Sequence, residues 1–413
     1  MPRDNYLIFP DGEDWLIFSP SDGMLIRGNE ACAHQYWSKN KAACVEDEVL
    51  ESSGPFEPVR MTVSAGHVCR NRCVYCYGRP SHGLSDTLNL DFCAAAADFI
   101  AANAAKCKEA FQVFFHGVGE PLHAWPVFRA CVDRCEQAAA NHGVALRKYI
   151  CTSGQVTDVK RTWVADNFDA VDVSFDGLPE LQRLQRPRAD GADPVEAPLD
   201  LARKALALGK KVNIKITVTT RNVARMAEIV DYCADVLPGA KLQFGMVFAM
   251  PWTDEANVDA EVFVTHFVEA LHAGRKRGVS VGHPEVNLSM LLRPRPEMLE
   301  DHVCLAAPDK VIAYYDVPGE PGQLPKLGVY GHFDASKSMI VWDHKERLRM
   351  QREQMLSECL ACPLRFSCFG AAGVKGRMAS EQKEIENHCA ARIGVLREVL
   401  RGFDSARSQG AVV

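Results

Sequence analysis

No stretch of this 413-residue chain stays apolar long enough to cross a bilayer. The longest apolar helix-like run, Cys93 to Ala105, is interrupted by Asp98 and Asn103 and falls short of the roughly 20 residues a spanning helix needs. Met1 to Trp15 has no basic segment leading into an apolar one, so no secretory signal is expected and the protein is expected to be cytoplasmic, with no membrane partner. Long basic runs are missing and the formal net charge is −6, which gives no indication of a nucleic-acid surface. Internal repeats and low-complexity tracts are absent as well. What remains is an ordinary globular composition, 47% hydrophobic and 24% charged, in a chain too long for one core. Two or three domains are expected.

Cysteine is what the chain has in excess, with 16 residues. In a reducing compartment, metal or cluster ligation explains such a count better than disulfides do. Cys93, Cys107, Cys131, Cys135 and Cys233 fall in helix-like segments and are expected to be small apolar core residues. Cys32 and Cys44 have no ligand-like spacing. Two sets stand apart. Cys69, Cys73 and Cys76 are spaced C-x₃-C-x₂-C within one loop. Three thiolates there could hold three irons of a [4Fe–4S] cubane and leave the fourth iron open to a ligand. A zinc site completed by a distant residue, or three unrelated thiols, would give the same spacing. The second set is Cys359, Cys362 and Cys368, spaced C-x₂-C-x₅-C, with Cys389 about twenty residues on. Four thiolates suit either a cubane or a structural zinc.

Around these sets the chain changes character twice. Residues 1–58 are expected to form a β-rich cap: Tyr6–Phe9 and Trp15–Phe18 are short apolar runs about a Pro10-Asp11-Gly12 turn, and Asn29 to Lys39 suits a short helix. A surface docking a peptide by strand addition is the alternative. From residue 59 strands and helices alternate, with strands at 59–63, 111–116, 146–151, 170–175, 212–218 and 242–248 and helices such as Trp125 to His142 between them. Six such units predict an α/β fold with a parallel sheet curled into a partial (β/α)6 TIM-like barrel over 59–290. Polar signatures follow the strands: the cysteine loop, His116-Gly117-Val118-Gly119-Glu120-Pro121, Thr152-Ser153-Gly154 and Ser174-Phe175-Asp176-Gly177. In a parallel barrel these would converge on one face. The alternation stops near Pro294, and 291–400 is expected to be a separate cysteine-rich domain, with a tail over 401–413.

A ligand carrying an amino group and a carboxylate could chelate an open iron. Gly119 would admit close backbone approach, backbone carbonyls or Glu120 could accept from the ammonium group, and Arg186 could pair with the carboxylate. The methionine end of S-adenosylmethionine fits that description.

The cysteine loop with Tyr75 before its last cysteine, the Gly-Glu-Pro loop and the Val-Ser-Phe-Asp-Gly strand end resemble the radical S-adenosylmethionine superfamily. The later cysteine set resembles its SPASM extension, and the likeness covers about residues 59–395. The resemblance implies that Cys69, Cys73 and Cys76 bind the catalytic [4Fe–4S] cluster, and that Tyr75 packs near the adenine of S-adenosylmethionine. It further implies that Gly119 and Glu120 sit at the methionine amino group, that Ser174 and Arg186 are cofactor contacts, and that the backbone near Phe248 touches the adenine. The chemistry implied is one-electron cleavage of the cofactor to a 5′-deoxyadenosyl radical that abstracts hydrogen from a substrate carbon. An electron donor such as flavodoxin or ferredoxin is implied as a partner.

Two departures qualify the likeness. Val118 stands where the family has glycine, and the second auxiliary cluster of a full SPASM domain lacks ligands, with Tyr315 and Ala372 at two of its positions and Cys304 without obvious partners. One auxiliary [4Fe–4S] cluster is therefore expected, on Cys359, Cys362, Cys368 and Cys389. Asp316 matches the position of a substrate-proximal acid in sulfatase-maturing relatives, although a turn aspartate before Pro318-Gly319 is an equal reading. SPASM-containing relatives mostly modify peptides, so the expected substrate is a ribosomally made precursor peptide or protein, crosslinked, epimerised or oxidised. Dehydrogenation of a small molecule such as an aminocyclitol or sugar is the alternative, and a non-catalytic cluster or zinc protein a third. Iron and sulfide quantification after anaerobic reconstitution is expected to give about eight irons per chain, two cubanes of four. About twelve would establish a second auxiliary cluster.

Overall fold

Along the central strands, buried and half-buried residues alternate, and the alternation decides which side of the sheet each residue faces. Phe111, Val113 and Phe115 are fully buried and so are Val171 and Val173, whereas Gln112, Phe114, Asp172 and Ser174 are half-buried. One face thus packs under helices and the other lines a partly open interior. In the computed structural model, residues 6–20, 23–40, 55–78, 85–250, 252–253, 255–292, 302–312, 329–354, 359, 362–368 and 382–408 are described.

Three antiparallel strands, β1 (Leu7–Asp11), β2 (Asp14–Ser19) and β3 (Met24–Gly28), form a separate sheet, followed by helix α1 (Glu30–Asn40). The second sheet begins with β4 (Arg60–Val63), after which α2 (Leu90–Cys107), β5 (Phe111–Phe115), α3 (Trp125–His142), β6 (Leu146–Thr152), α4 (Asp158–Asn167) and β7 (Ala170–Ser174) follow. Helices α5 (Pro179–Gln185) and α6 (Glu196–Ala207) lead to β8 (Lys211–Val218), α7 (Met226–Val236), β9 (Lys241–Met246), α8 (Ala260–Arg277), β10 (Val281–Gly282) and the short α9 (Leu288–Leu291). Strands β4 to β10 pair in sequence order and all in parallel. The alternation expected from the sequence is thus present, with α5 as an addition to it.

Beyond residue 300 the chain returns to the same sheet. Strand β11 (His302–Ala306) lies parallel to β4, and β12 (Lys310–Ile312), β13 (Val329–Asp334) and β14 (Met339–Trp342) continue antiparallel, for eleven strands in all. The result is an α/β fold with one large mixed sheet. Among the described residues no pairing joins the edge strands β10 and β14 into a closed barrel. Among the described residues, helix α10 (His344–Gln354), the single turn α11 (Arg365–Cys368) and α12 (Gln382–Ser408) follow. Helix α12 runs through Ser408, with Leu400 and Asp404 buried and Arg27 of β3 holding Asp404 at 2.8 Å. Among the described residues no helix is long and apolar enough to cross a membrane.

Helix α12 packs along α8, and its second turn is tied to the segment entering α8. The Asn387 side chain accepts from the Ala260 N–H at 2.9 Å and donates to the Val258 carbonyl at 2.7 Å. A part-buried side-chain amide that satisfies two main-chain groups is expensive to remove. Asn387→Ala is expected to cost about 1–2 kcal/mol. A thermal melt or urea titration indistinguishable from wild type would show that the two helices do not depend on this tie.

Candidate active site

The three-cysteine loop leaves the C-terminal end of β4 and is held from both sides. On one side Arg72 and Val74 donate their N–H groups to the carbonyls of Pro187 and Gln185, and Ala189 donates to Arg70. On the other side the Glu120 N–H reaches the Val68 carbonyl at 3.0 Å, and the Arg70 N–H reaches His123 Nδ1 at 3.1 Å. Since Nδ1 accepts, the ring proton sits on Nε2, which faces the Gln155 carbonyl at 3.3 Å. His123 therefore bridges the cysteine loop to the loop after β6, a role that its place in sequence does not announce.

Gly119 lies against this loop with φ +90°, and a Cβ there would stand 2.5 Å from the Gly66 carbonyl oxygen and 2.9 Å from the His67 carbonyl carbon. Only glycine permits that approach. Val118, which stands where the family it resembles has glycine, is buried, and its side chain occupies the space over Gly78 of the cysteine loop: a Cβ on Gly78 would come within 2.8 Å of it. The substitution is accommodated on the loop's own glycine.

Glu120 is buried, and its carboxylate accepts from the Leu122 N–H, the Thr152 hydroxyl, and both the N–H (2.7 Å) and hydroxyl (2.6 Å) of Ser153. These bonds fill the acceptor capacity of a carboxylate. Glu120 thus fastens the end of β5 to the end of β6, with little capacity left for a ligand ammonium.

The densest network centres on Asp176, which is completely buried just beyond β7. One carboxylate oxygen accepts from the Tyr75 hydroxyl (2.5 Å), the Gln185 amide (3.0 Å) and Arg186 Nε (3.0 Å), and the other from the Thr217 N–H (3.0 Å). Sequence reasoning places Asp176 in the Ser-Phe-Asp-Gly signature without giving it a role, and it passes over Gln185 and Thr217. Arg186 lies over the Tyr75 ring, donates to the Thr217 hydroxyl at 3.3 Å and places Nη1 4.0 Å from Cys73 Sγ. Its fork retains N–H groups beyond those engaged, so a carboxylate could still be met there. Burial raises the Tyr75 phenol well above its ordinary value, against the pull of Arg186 and with the push of Asp176, so it remains a donor. Ser174 ends β7, half-buried, opposite Lys215.

Phe248 follows β9 and is buried in a small cluster with Met250, against which Tyr77 and Trp252 pack. The Trp252 indole N–H donates to the Cys76 carbonyl at 3.3 Å, and the Phe248 ring stacks on His388 of α12 with 4.4 Å between centroids. Cysteine loop, Gly119, Asp176, Arg186 and Phe248 therefore all lie beyond the C-terminal ends of parallel strands, on one edge of the sheet. Burial raises the Cys69 thiol, with Glu120 adding to it, and raises Cys73 to about 12 against the pull of Arg186. A cluster binding there must displace those protons. Three thiols in one loop, a Cβ-free cradle at Gly119 and the spare guanidinium donors of Arg186 fit an open cluster with an amino-acid ligand.

The second cysteine set gathers Cys359, Cys362 and Cys368 near Cys389 of α12. Burial pushes Cys362 up to about 12, opposed by the Leu364 N–H at 3.4 Å and reinforced by Cys368, Cys359 and Cys389. Ser367 anchors the turn by donating to the Glu285 carbonyl (2.9 Å) and accepting from the Asn287 N–H (3.0 Å). Arg392, one turn after Cys389, is buried with Nε and Nη1 meeting no acceptor among the described residues. Donors of that kind suit a group bearing sulfide and thiolate acceptors. Among the described residues no group of three or more His, Cys, Asp or Glu side chains is placed to hold a metal ion. Cys304 stands apart, buried on β11 and bonded to Thr62 across the β4 pairing. Asp316, with Tyr315 and Ala372, lies outside the described residues.

The sequence matches no protein-family model and no curated protein. Solved structures do share its fold. A tagged form of anSMEcpe with bound AdoMet superposes with a TM-score of 0.62 at 14% identity, covering 85% of this chain and 94% of that one. Native anSMEcpe with bound AdoMet and Cp18Cys peptide gives 0.61 at 13% identity, covering 84% and 99%. SuiB of Streptococcus suis bound to the precursor peptide SuiA gives 0.52 at 12% identity, covering 88% and 93%. At such identities what is shared is the fold.

Asp176→Asn is expected to weaken the folded state by about 3–5 kcal/mol, since Arg186 would be left buried beside a neutral amide. Denaturant titration checks this, and a loss below about 1 kcal/mol would mean that the network relaxes around water.

Proposed function

We propose that this chain is a radical S-adenosylmethionine enzyme that modifies a peptide or protein substrate, built on a partial (β/α)6 barrel with one auxiliary [4Fe–4S] cluster. The observation that carries the proposal is the convergence of the cysteine loop, the Gly119 cradle and the Asp176–Arg186 network at one edge of a parallel sheet. Bound there, the catalytic cluster and S-adenosylmethionine supply one-electron cleavage of the cofactor and hydrogen abstraction from carbon. The chain's own residues bind and orient. Cys69, Cys73 and Cys76 hold the cluster, and Gly119 brings main-chain carbonyls to the methionine ammonium. Arg186, already aligned by Asp176, meets the carboxylate. Tyr75, its hydroxyl fixed by Asp176, would pack near the adenine, and the backbone at Phe248 would border it. Cys359, Cys362, Cys368 and Cys389 hold the auxiliary cluster, and an external one-electron carrier of the flavodoxin or ferredoxin type supplies the reductant.

The peptide substrate is supported by the likeness to anSMEcpe with Cp18Cys peptide and to SuiB with SuiA. The half-buried face of the central strands, which carries Gln112, Asp172 and Ser174, accords with it by offering polar groups to an extended chain. Anaerobic reconstitution with reductant and S-adenosylmethionine is expected to release 5′-deoxyadenosine, and the combined Cys69→Ala, Cys73→Ala and Cys76→Ala variant to release none. Release that survives the triple substitution would overturn the catalytic assignment. Co-expression with a short peptide encoded beside the gene, followed by mass spectrometry, then distinguishes the outcomes. Loss of two hydrogens marks oxidative crosslinking, unchanged mass with altered stereochemistry marks epimerisation, and an unmodified peptide favours the small-molecule alternative.

A further inference from the structure

We propose that Arg392 sets the reduction potential of the auxiliary cluster, with Glu285 as its counterweight. The inference rests on reading Cys359, Cys362, Cys368 and Cys389 as the ligands of that cluster. Arg392 lies three residues after Cys389 on α12, and residues so spaced share one face of a helix. Its residue is 3% exposed. Nη2 stands 3.5 Å from Glu285 Oε1, while Nε and Nη1, which carry three of the five guanidinium N–H groups, are buried with no acceptor among the described residues. Native interiors rarely keep buried charged donors unmade. Cys368 and Cys389 lie close enough that thiolates there would act on this guanidinium, after Glu285.

Sulfur acceptors complete that geometry. A guanidinium fork can address a carboxylate on one side and cluster sulfurs on the other, which a lysine point charge cannot do with the same rigidity. Hydrogen bonds and positive charge beside a cluster stabilise its more negative, reduced state and so raise its potential. Glu285 acts oppositely, because it screens the same charge. Its position is fixed relative to the cysteines by Ser367, which donates to the Glu285 carbonyl at 2.9 Å one residue before Cys368. Arg392 and Glu285 together thus form an adjustable pair whose two members push the potential in opposite directions, a signature that a packing role would not produce.

The test is a redox titration followed by electron paramagnetic resonance, on chain carrying Cys69→Ala, Cys73→Ala and Cys76→Ala so that only the auxiliary cluster contributes. Arg392→Gln is expected to lower the midpoint by a tenfold change in the oxidised-to-reduced ratio, about 59 mV for one electron. Glu285→Gln is expected to raise it, and Arg392→Lys to fall between wild type and Arg392→Gln. Shifts of Arg392→Gln and Glu285→Gln in the same direction, or in neither, overturn the proposal. Should Arg392→Gln fail to fold, Glu285→Gln decides alone: an upward shift supports the proposal and an unmoved midpoint overturns it. A triple cysteine variant that holds no iron overturns the ligand reading and the proposal together, whereas an iron-bearing one with unmoved midpoints overturns the proposal alone.

Discussion

The Asp176 carboxylate is the point on which the candidate active site depends. It is fully buried, and its four acceptor contacts come from the cysteine loop, the end of α5, Arg186 and the last turn of the pleat in β8. Desolvating a carboxylate and a guanidinium is costly, and the pair persists because the carboxylate's lone pairs are directed to defined partners. Geometry is what is obtained in exchange. Tyr75, Arg186 and Thr217 cannot move independently, so the cysteine loop is registered against strand ends some hundred residues further along the chain. Glu120 performs the same service one strand pair away, between β5 and β6. Two buried acids, neither of which needs to touch a ligand, thus define the shape of the region that would receive one.

The cysteine sets occupy different mechanical settings. The first sits in a loop braced by main-chain bonds on both sides, with Gly119 admitting the backbone between them. The second is assembled from a short turn and one residue of a long helix, and depends on α12 being held in place along α8. Asn387, His388, Cys389 and Arg392 lie within two turns of that helix, and each faces a different requirement: the α8 entry, the Phe248 ring, the cysteine set and Glu285. A single helix therefore connects the wall of the candidate active site with the second cysteine set.

How far the sequence discloses this depends on whether the determining contacts are local. Helix α3 has the bounds expected for it, because Pro126 in its first turn and Gly143 in the left-handed position at its end are local signals. The two cysteine spacings and the Gly-Glu-Pro loop are legible for the same reason. Helix α5 escapes a reading of the sequence, since seven residues with buried Gln182 and Gln185 show no apolar period. Strand β11 escapes it as a member of the main sheet, because nothing in His302–Ala306 says that its neighbour is β4. Asp176 is visible as part of a signature, yet its role resides in Tyr75, 101 residues earlier, and in Thr217, 41 residues later. Glu120 suits a ligand contact by type and place, and only its partners reveal how much of its acceptor capacity is engaged within the chain.

The end-to-end tie between β3 and α12 has a consequence for how the chain comes to be folded. Arg27 meets Asp404 across a separation of 377 residues, and Arg401 reaches the Pro10 carbonyl across 391. Closing a loop of that size carries an entropic cost that no local contact offsets until the sheet between has formed. Strands β1 to β3 therefore meet helix α12 only once the sheet between them has formed, in a fold already burdened with slow parallel pairing.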